Sequence, residues 1–266
     1  SVEKIYYLEL FNEYCKWKDS ISYLFYIMFK LKHISIYFFL LTAISINCQT
    51  STNDKALYKW FDTNVGLENI GLLNGTAYTE KYRTSNGNHE FYSSSSFQTG
   101  DIVYNGQPYF DIAMKYDIHN DEIIVEVPTQ TNSFSIQLIK EKVYSFSING
   151  SNFISIRDLT NENSFYEVII ESSKLAVYKK NIKTSNKYYS GRSMLYSFKS
   201  KDEYLLYFKN EYHKITKSKK SLIKLLPEYK KEISSLYKTQ SELLNINYDL
   251  FIQKLVKELT NTLSKL

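Results

Sequence analysis

The chain has 266 residues, 43% of them hydrophobic and 23% charged, and a formal net charge of +5. That balance excludes a disordered polyelectrolyte and leaves enough apolar material for a real core. Tyr and Phe number 25 and 16 against 8 Gly and 3 Pro; such rings suit pleated, half-buried surfaces, so the composition leans towards strands, although an AT-rich genome would enrich the same residues.

Residues 28–50 read MFKLKHISIYFFLLTAISINCQT. Lys30, Lys32 and His33 form a short basic region, and Ile34 to Ile46 is an uncharged run of thirteen. A spanning helix needs about 20 apolar residues and a secretory signal roughly 7–15. The spacing therefore predicts a signal peptide over 28–48, with 1–27 an upstream extension or a misplaced start, and no transmembrane span once the signal is removed. The competing reading is a signal anchor that also uses Ile21–Phe29, which would bury Lys30 and Lys32. Cys48 has two fates: lipidation as in bacterial lipoproteins, or ordinary cleavage releasing Gln49. Cys15 and Cys48 are the only cysteines. From residue 49 onward no disulfide, thiolate nucleophile or cysteine metal site is available.

Ala56, Leu57, Trp60 and Phe61 recur at helical spacing behind Asn53, a good N-cap, and predict a short first helix over 54–61. Next, alternation across 77–92 around Ser85-Asn86-Gly87 predicts a hairpin. Further hairpins are expected at Asn105-Gly106, at His119-Asn120-Asp121 and at Asn149-Gly150. Roughly ten short strands between 75 and 216, without helical crossovers, give a mainly β fold: an antiparallel meander or sandwich, or a partly open barrel. Beyond 216, Leu222, Leu225, Leu226, Tyr229, Ile233 and Leu236 form one apolar stripe, broken by Pro227. Leu250, Phe251, Leu255, Val256, Leu259 and Leu263 form a second. The expected organisation is thus a β domain over 49–216 and amphipathic basic helices over 217–266.

The runs NDKALYKWFDTNVGLENIGLLNGTAYTEKYRT, IVYNGQPYFDIAMKYDIHNDEIIVEV and KSKKSLIKLLPEYKKEI resemble a group of uncharacterised exported proteins from flavobacteria-like bacteria, over most of residues 49–240. The most specific piece is Tyr104-Asn105-Gly106-Gln107-Pro108-Tyr109 with Lys115-Tyr116-Asp117 after it. The resemblance implies a cell-envelope setting, in the periplasm or at the outer membrane, and brings no catalytic residues.

The motifs of familiar chemistries are missing from the sequence: no phosphate loop, no Gly-x-Ser-x-Gly elbow and no His-Glu-x-x-His. Asp117, His119 and Asp121 alternate and could hold a divalent ion from an extended strand, but the same residues make an ordinary tight turn, which is the expectation. His89 and His213 stand alone. Asp101, Asp111 and Asp117 are acids near aromatics, a weak glycosidase signal. Between 214 and 238, eight lysines stand against two glutamates. Such a segment attracts anions, but lysine without arginine does not read bases, and nucleic acid is not an expected partner.

These readings predict an exported envelope protein acting as a non-enzymatic binding or accessory subunit, with no cofactor. Its partner would be an envelope protein or an anionic lipid or glycan surface. The contact residues would be Tyr104, Gln107 and Tyr109, as an exposed ring of the turn, and Lys217, Lys219, Lys220, Lys224, Lys230 and Lys231. The alternative is a periplasmic metal- or carboxylate-dependent hydrolase.

Overall fold

The computed structural model describes residues 52–66, 71–85, 87–129, 132–157, 162–172 and 174–263, without the side chains of 52, 53, 262 and 263. The upstream extension, the signal, Cys48, the Asn53 cap and Asn86 lie outside the described residues. Contacts divide the chain into Ser1–Asn53 and Asp54–Leu266, and the second unit is the one described.

Helix α1 (Thr52–Val65) leads into eleven strands: β1 (Gly75–Ala77), β2 (Gln98–Tyr104), β3 (Gln107–Asp117), β4 (Glu122–Pro128), β5 (Ser133–Leu138), β6 (Val143–Ile148), β7 (Ser151–Arg157), β8 (Asn163–Glu171), β9 (Leu175–Ser190), β10 (Ser193–Phe208) and β11 (Glu211–Ile215). They form one antiparallel sheet in the order β1-β5-β4-β3-β2-β6-β7-β8-β9-β10-β11. From β6 onward each strand pairs with the next in sequence, so tight turns set the topology. Asn105 and Gly106 have φ of 51° and 80°, and Asn149 and Gly150 have 54° and 79°. Two consecutive positive φ angles match the twist of a two-residue hairpin. Lys209 and Asn210, at 53° and 63°, do the same between β10 and β11 without a glycine.

The expected hairpin over 77–92 does not form. Among the described residues, 78–97 contribute only single bridges, Thr84 to Tyr196 and Phe91 to Asp117. The alternating side chains serve long-range contacts instead. Tyr82 packs edge-on against His119, Tyr196 and Phe198 at 5.4, 5.0 and 5.3 Å. Asn88 imitates a strand partner: its Nδ2 donates to the Phe198 carbonyl at 3.1 Å, and the Phe198 amide donates back to its Oδ1.

The sheet stays open but curls strongly. The backbone N–H of Lys183 in β9 donates to the Ile118 carbonyl at 3.1 Å, so β9 reaches the turn that ends β3. Inside the curl, Tyr116, Phe146, Phe153 and Phe165 meet; Phe146 stacks on Phe153 at 4.7 Å, and Tyr116 lies edge-on to Phe146 at 5.1 Å.

A second core joins the sheet to four helices, α2 (Lys219–Leu225), α3 (Lys230–Thr239), α4 (Ser241–Ile246) and α5 (Tyr248–Leu263). Pro227 ends α2 and opens the 3-10 turn Pro227–Tyr229 ahead of α3, as its missing N–H requires. Phe251, Ile252, Leu255, Val256 and Leu259 of α5 are buried with Leu175, Val177, Tyr204 and Leu206 of the sheet. Burying each such side chain stabilises by roughly 1.5–3 kcal/mol. Asp249 locks the contact, accepting from Tyr204 Oη at 2.7 Å and from Lys179 Nζ at 2.9 Å. Among the described residues no helix is long and apolar enough to cross a membrane.

Candidate functional site

Helix α1 lies on the sheet with its charged side inward. Lys55, Tyr58, Lys59, Asp62 and Val65 recur every three or four residues, which puts them on one face. Lys55 Nζ sits 3.1 Å from Asp101 and 3.6 Å from Asp111, and Lys59 Nζ 2.5 Å from Asp111. Lys55 also lies 4.9 Å above the Phe110 ring. The lysines hold the Asp111 carboxyl below its ordinary range, the hydrogen bond from Lys59 contributing most. Asp101 and Asp111, weak glycosidase candidates in the sequence, therefore act here as anchors for a helix.

The apolar side of α1 faces out. Leu57, Trp60 and Phe61 are 61, 63 and 55% exposed. Those side chains, with Asp62 and Val65, form one wall of a groove of about 660 Å³; Asn105, Gln107, Pro108 and Tyr109 of the β2–β3 turn form the other, and Gly71 lies between. A Cβ on Gly71 would come within 3.0 Å of Tyr109 Oη, so glycine lets the phenol lie along the floor. Burial, and then the Asp62 charge, raise the Tyr109 pKa. Burial likewise raises the Asp62 carboxyl.

The expected exposed ring of Tyr104, Gln107 and Tyr109 is corrected. Only Gln107 is exposed. Tyr104 is fully buried and Tyr109 6% exposed. Both tyrosines point into the first core, because residues flanking a two-residue turn still alternate with the pleat. Tyr104 Oη donates to the Asn74 carbonyl and accepts from the Ile139 amide at 3.3 Å. Gln107 and Tyr109 both line the groove, and Tyr104 does not.

Asp117, His119 and Asp121 sit in the β3–β4 turn. Asp117 Oδ1 accepts from the His119 and Asn120 amides at 2.8 and 2.9 Å. Asp121 accepts from Tyr116 Oη and Lys140 Nζ, both at 2.7 Å. Among the described residues, no group of three or more His, Cys, Asp or Glu side chains is placed to hold a metal ion. His213 lies 3.9 Å from Glu211. The Nδ1 of His89 accepts from the Phe91 amide at 3.2 Å.

Lys217, Lys219, Lys220, Lys224, Lys230 and Lys231 are all exposed on or beside α2 and α3, and none lines the groove. Lys217 covers the Tyr248 ring at 5.3 Å. The groove wall of Leu57, Trp60 and Phe61 was missed by sequence reasoning. Its signal was the inner face itself, where lysines and an aspartate recur at helical spacing.

An open, curled antiparallel sheet carrying an inverted helix and a helical cover defines the architecture. Comparison of the chain with protein-family models, with curated proteins and with solved structures gives no match.

Proposed function

We propose that this protein is an exported, non-enzymatic binding or accessory subunit of a bacterial cell envelope, and that it takes an apolar segment of an envelope protein into the α1 groove. One observation carries the reading: ion pairs pin α1 from its charged side, so Leu57, Trp60 and Phe61 are presented over a groove of about 660 Å³. Large apolar side chains grouped on a fixed helix mark contact surfaces. A groove with an aromatic wall and carboxamides at its rim, here Asn105 and Gln107, suits the apolar face of a partner's helix, with its polar backbone satisfied internally. The aromatic anchor would supply most of the binding energy. The envelope setting rests on the signal-like stretch 28–48 and on the resemblance to exported proteins. An anionic lipid or glycan surface is the corresponding partner for the lysines of α2 and α3.

The test is site-specific photo-crosslinking in the native host. A cross-linker replacing Trp60 should give one defined adduct in the envelope fraction, and a cross-linker replacing exposed Lys199 should give none. A cytosolic product, or identical adducts from both positions, would refute the proposal.

A further inference from the structure

The ion pairing of the lysines is uneven. Many lysines of the sheet are matched, Lys81 with Glu122, Lys115 with Glu80, Lys140 with Asp121, Lys179 with Asp249, and Lys201 and Lys214 with Glu203, while Lys183, Lys187 and Lys199, scattered along β9 and β10, make no ion pair among the described residues. On α2 and α3, Lys219, Lys220, Lys224, Lys230, Lys231 and Lys238 are exposed and make no ion pair among the described residues. Their helices are fixed from beneath by Leu222, Ile233 and Leu236, each at most 4% exposed. The helices that carry this charge are therefore fixed, and although Glu228 and Glu232 share the segment, neither forms an ion pair with these lysines among the described residues.

The same layer exposes two aliphatic side chains, Ile246 at 76% and Leu250 at 47%. They stand at the α4–α5 junction, and the structure ties that junction to the lysines. Tyr248, between them, lies under Lys217 at 5.3 Å. One turn after Leu250, Lys254 Nζ donates to Gln240 Oε1 at 3.3 Å, two residues beyond Lys238.

We infer that the α2–α5 layer is a docking surface for an anionic lipid bilayer, with the unpaired lysines at the phosphate level and Ile246 and Leu250 entering the interface. The inference deepens the envelope reading above and rests on it for its setting. Charge complementarity selects an anion, because clustered cations unpaired among the described residues gain most from external phosphates. Point-charge ammoniums need no directed geometry, which suits a fluid array of headgroups. The exposed aliphatics select a bilayer over a soluble polyanion, since only the bilayer removes them from water.

Sedimentation of the full chain with vesicles tests this, using phosphatidylcholine alone and phosphatidylcholine mixed with phosphatidylglycerol. Binding should favour the mixed vesicles and weaken as salt is raised. The triple variant Lys219→Glu/Lys220→Glu/Lys224→Glu should lose at least about tenfold in partitioning to mixed vesicles. The double variant Ile246→Ser/Leu250→Ser should also partition less, with unchanged response to soluble dextran sulfate. Parent-like sedimentation of the folded triple variant would overturn the inference. So would a double variant with full vesicle binding, which would indicate a soluble polyanion instead. Circular dichroism establishes that each variant is folded. If the surface fails while the Trp60 adduct persists, the groove reading stands. If the adduct fails while vesicle binding persists, only the protein-partner reading is lost.

Discussion

His119 Nδ1 lies 2.8 Å from the backbone carbonyl oxygen of Lys183, 64 residues further along the chain. A carbonyl only accepts, so the ring nitrogen is the donor, and the imidazole is fixed with its proton on Nδ1. Together with the Lys183 amide bonded to Ile118, this contact fastens the curl of the sheet.

His119→Phe keeps a ring against Tyr82 and Phe198 but removes the donor. We expect a loss of about 1 kcal/mol, as for a typical intramolecular hydrogen bond, read as a lower urea midpoint at unchanged slope. An unchanged midpoint would show that the contact contributes nothing to the curl.

Gly100 lies where β2 passes β6, and a Cβ there would fall 2.0 Å from the Ser147 carbonyl oxygen. Backbone cannot step aside as a side-chain tip can, so Gly100→Ala should cost about 3 kcal/mol or fail to give soluble protein. Expression and urea unfolding check it.

Two neighbours titrate against each other. Burial, and then the Lys183 ammonium, hold His89 below 6.5, so stability should be lost as pH falls below that value, where the unfolded chain takes up the proton first. Burial, and then the Asp117 charge, raise the Glu90 carboxyl above 4.5. That group favours the fold at low pH and ceases to do so as pH rises through its folded value. Melting scans should show His89→Gln falling less than the parent between about pH 7 and about pH 5.5. Glu90→Gln should melt higher than the parent at neutral pH, with its advantage shrinking in acid.

Asn88 occupies the free edge of β10 beside Phe198. Asn88→Ala should open that edge and cause concentration-dependent association, visible in light scattering. Asn88→Asp, which retains the acceptor and adds charge, should associate less than the alanine variant.

Asp111 receives both lysines of α1. Asp111→Asn keeps its size and tolerates the local φ of 56° while weakening the ion pairs. Amide exchange in α1 should quicken, and exchange in the first core should not change.

Much of the fold was legible where local chemistry decides it. Asn105-Gly106 and Asn149-Gly150 announce their turns because few other pairs take two positive φ angles cheaply. Pro227 announces its break, and among the described side chains the stripes of α2, α3 and α5 pack inward, apart from Leu250 at the exposed α4–α5 junction. Legibility failed where distant residues decide. Tyr82 alternates as a strand residue does, but it packs against side chains more than a hundred positions away. The outer halves of β9 and β10 are too polar to look like strands, and they pair from Ser190–Ser193 inward because each has the other. Lys209-Asn210 turns without the glycine that would have announced it. Sequence proximity places Gln107 and Tyr109 beside the same groove. It gave the wrong orientation for Tyr109, and it left the pose of α1 unread, because that pose depends on carboxylates more than forty positions away.

Among the described residues, the buried first core ends in sequence with Phe165 and includes no side chain from β9 to α5. A chain appearing from its N-terminus could therefore complete this half while the remainder is still emerging, and could later zip β9, β10 and β11 onto a finished template. Pulse-labelled exchange during refolding should then protect β2 to β8 ahead of the C-terminal helices. Simultaneous protection of both halves would mean that the molecule assembles as one cooperative unit.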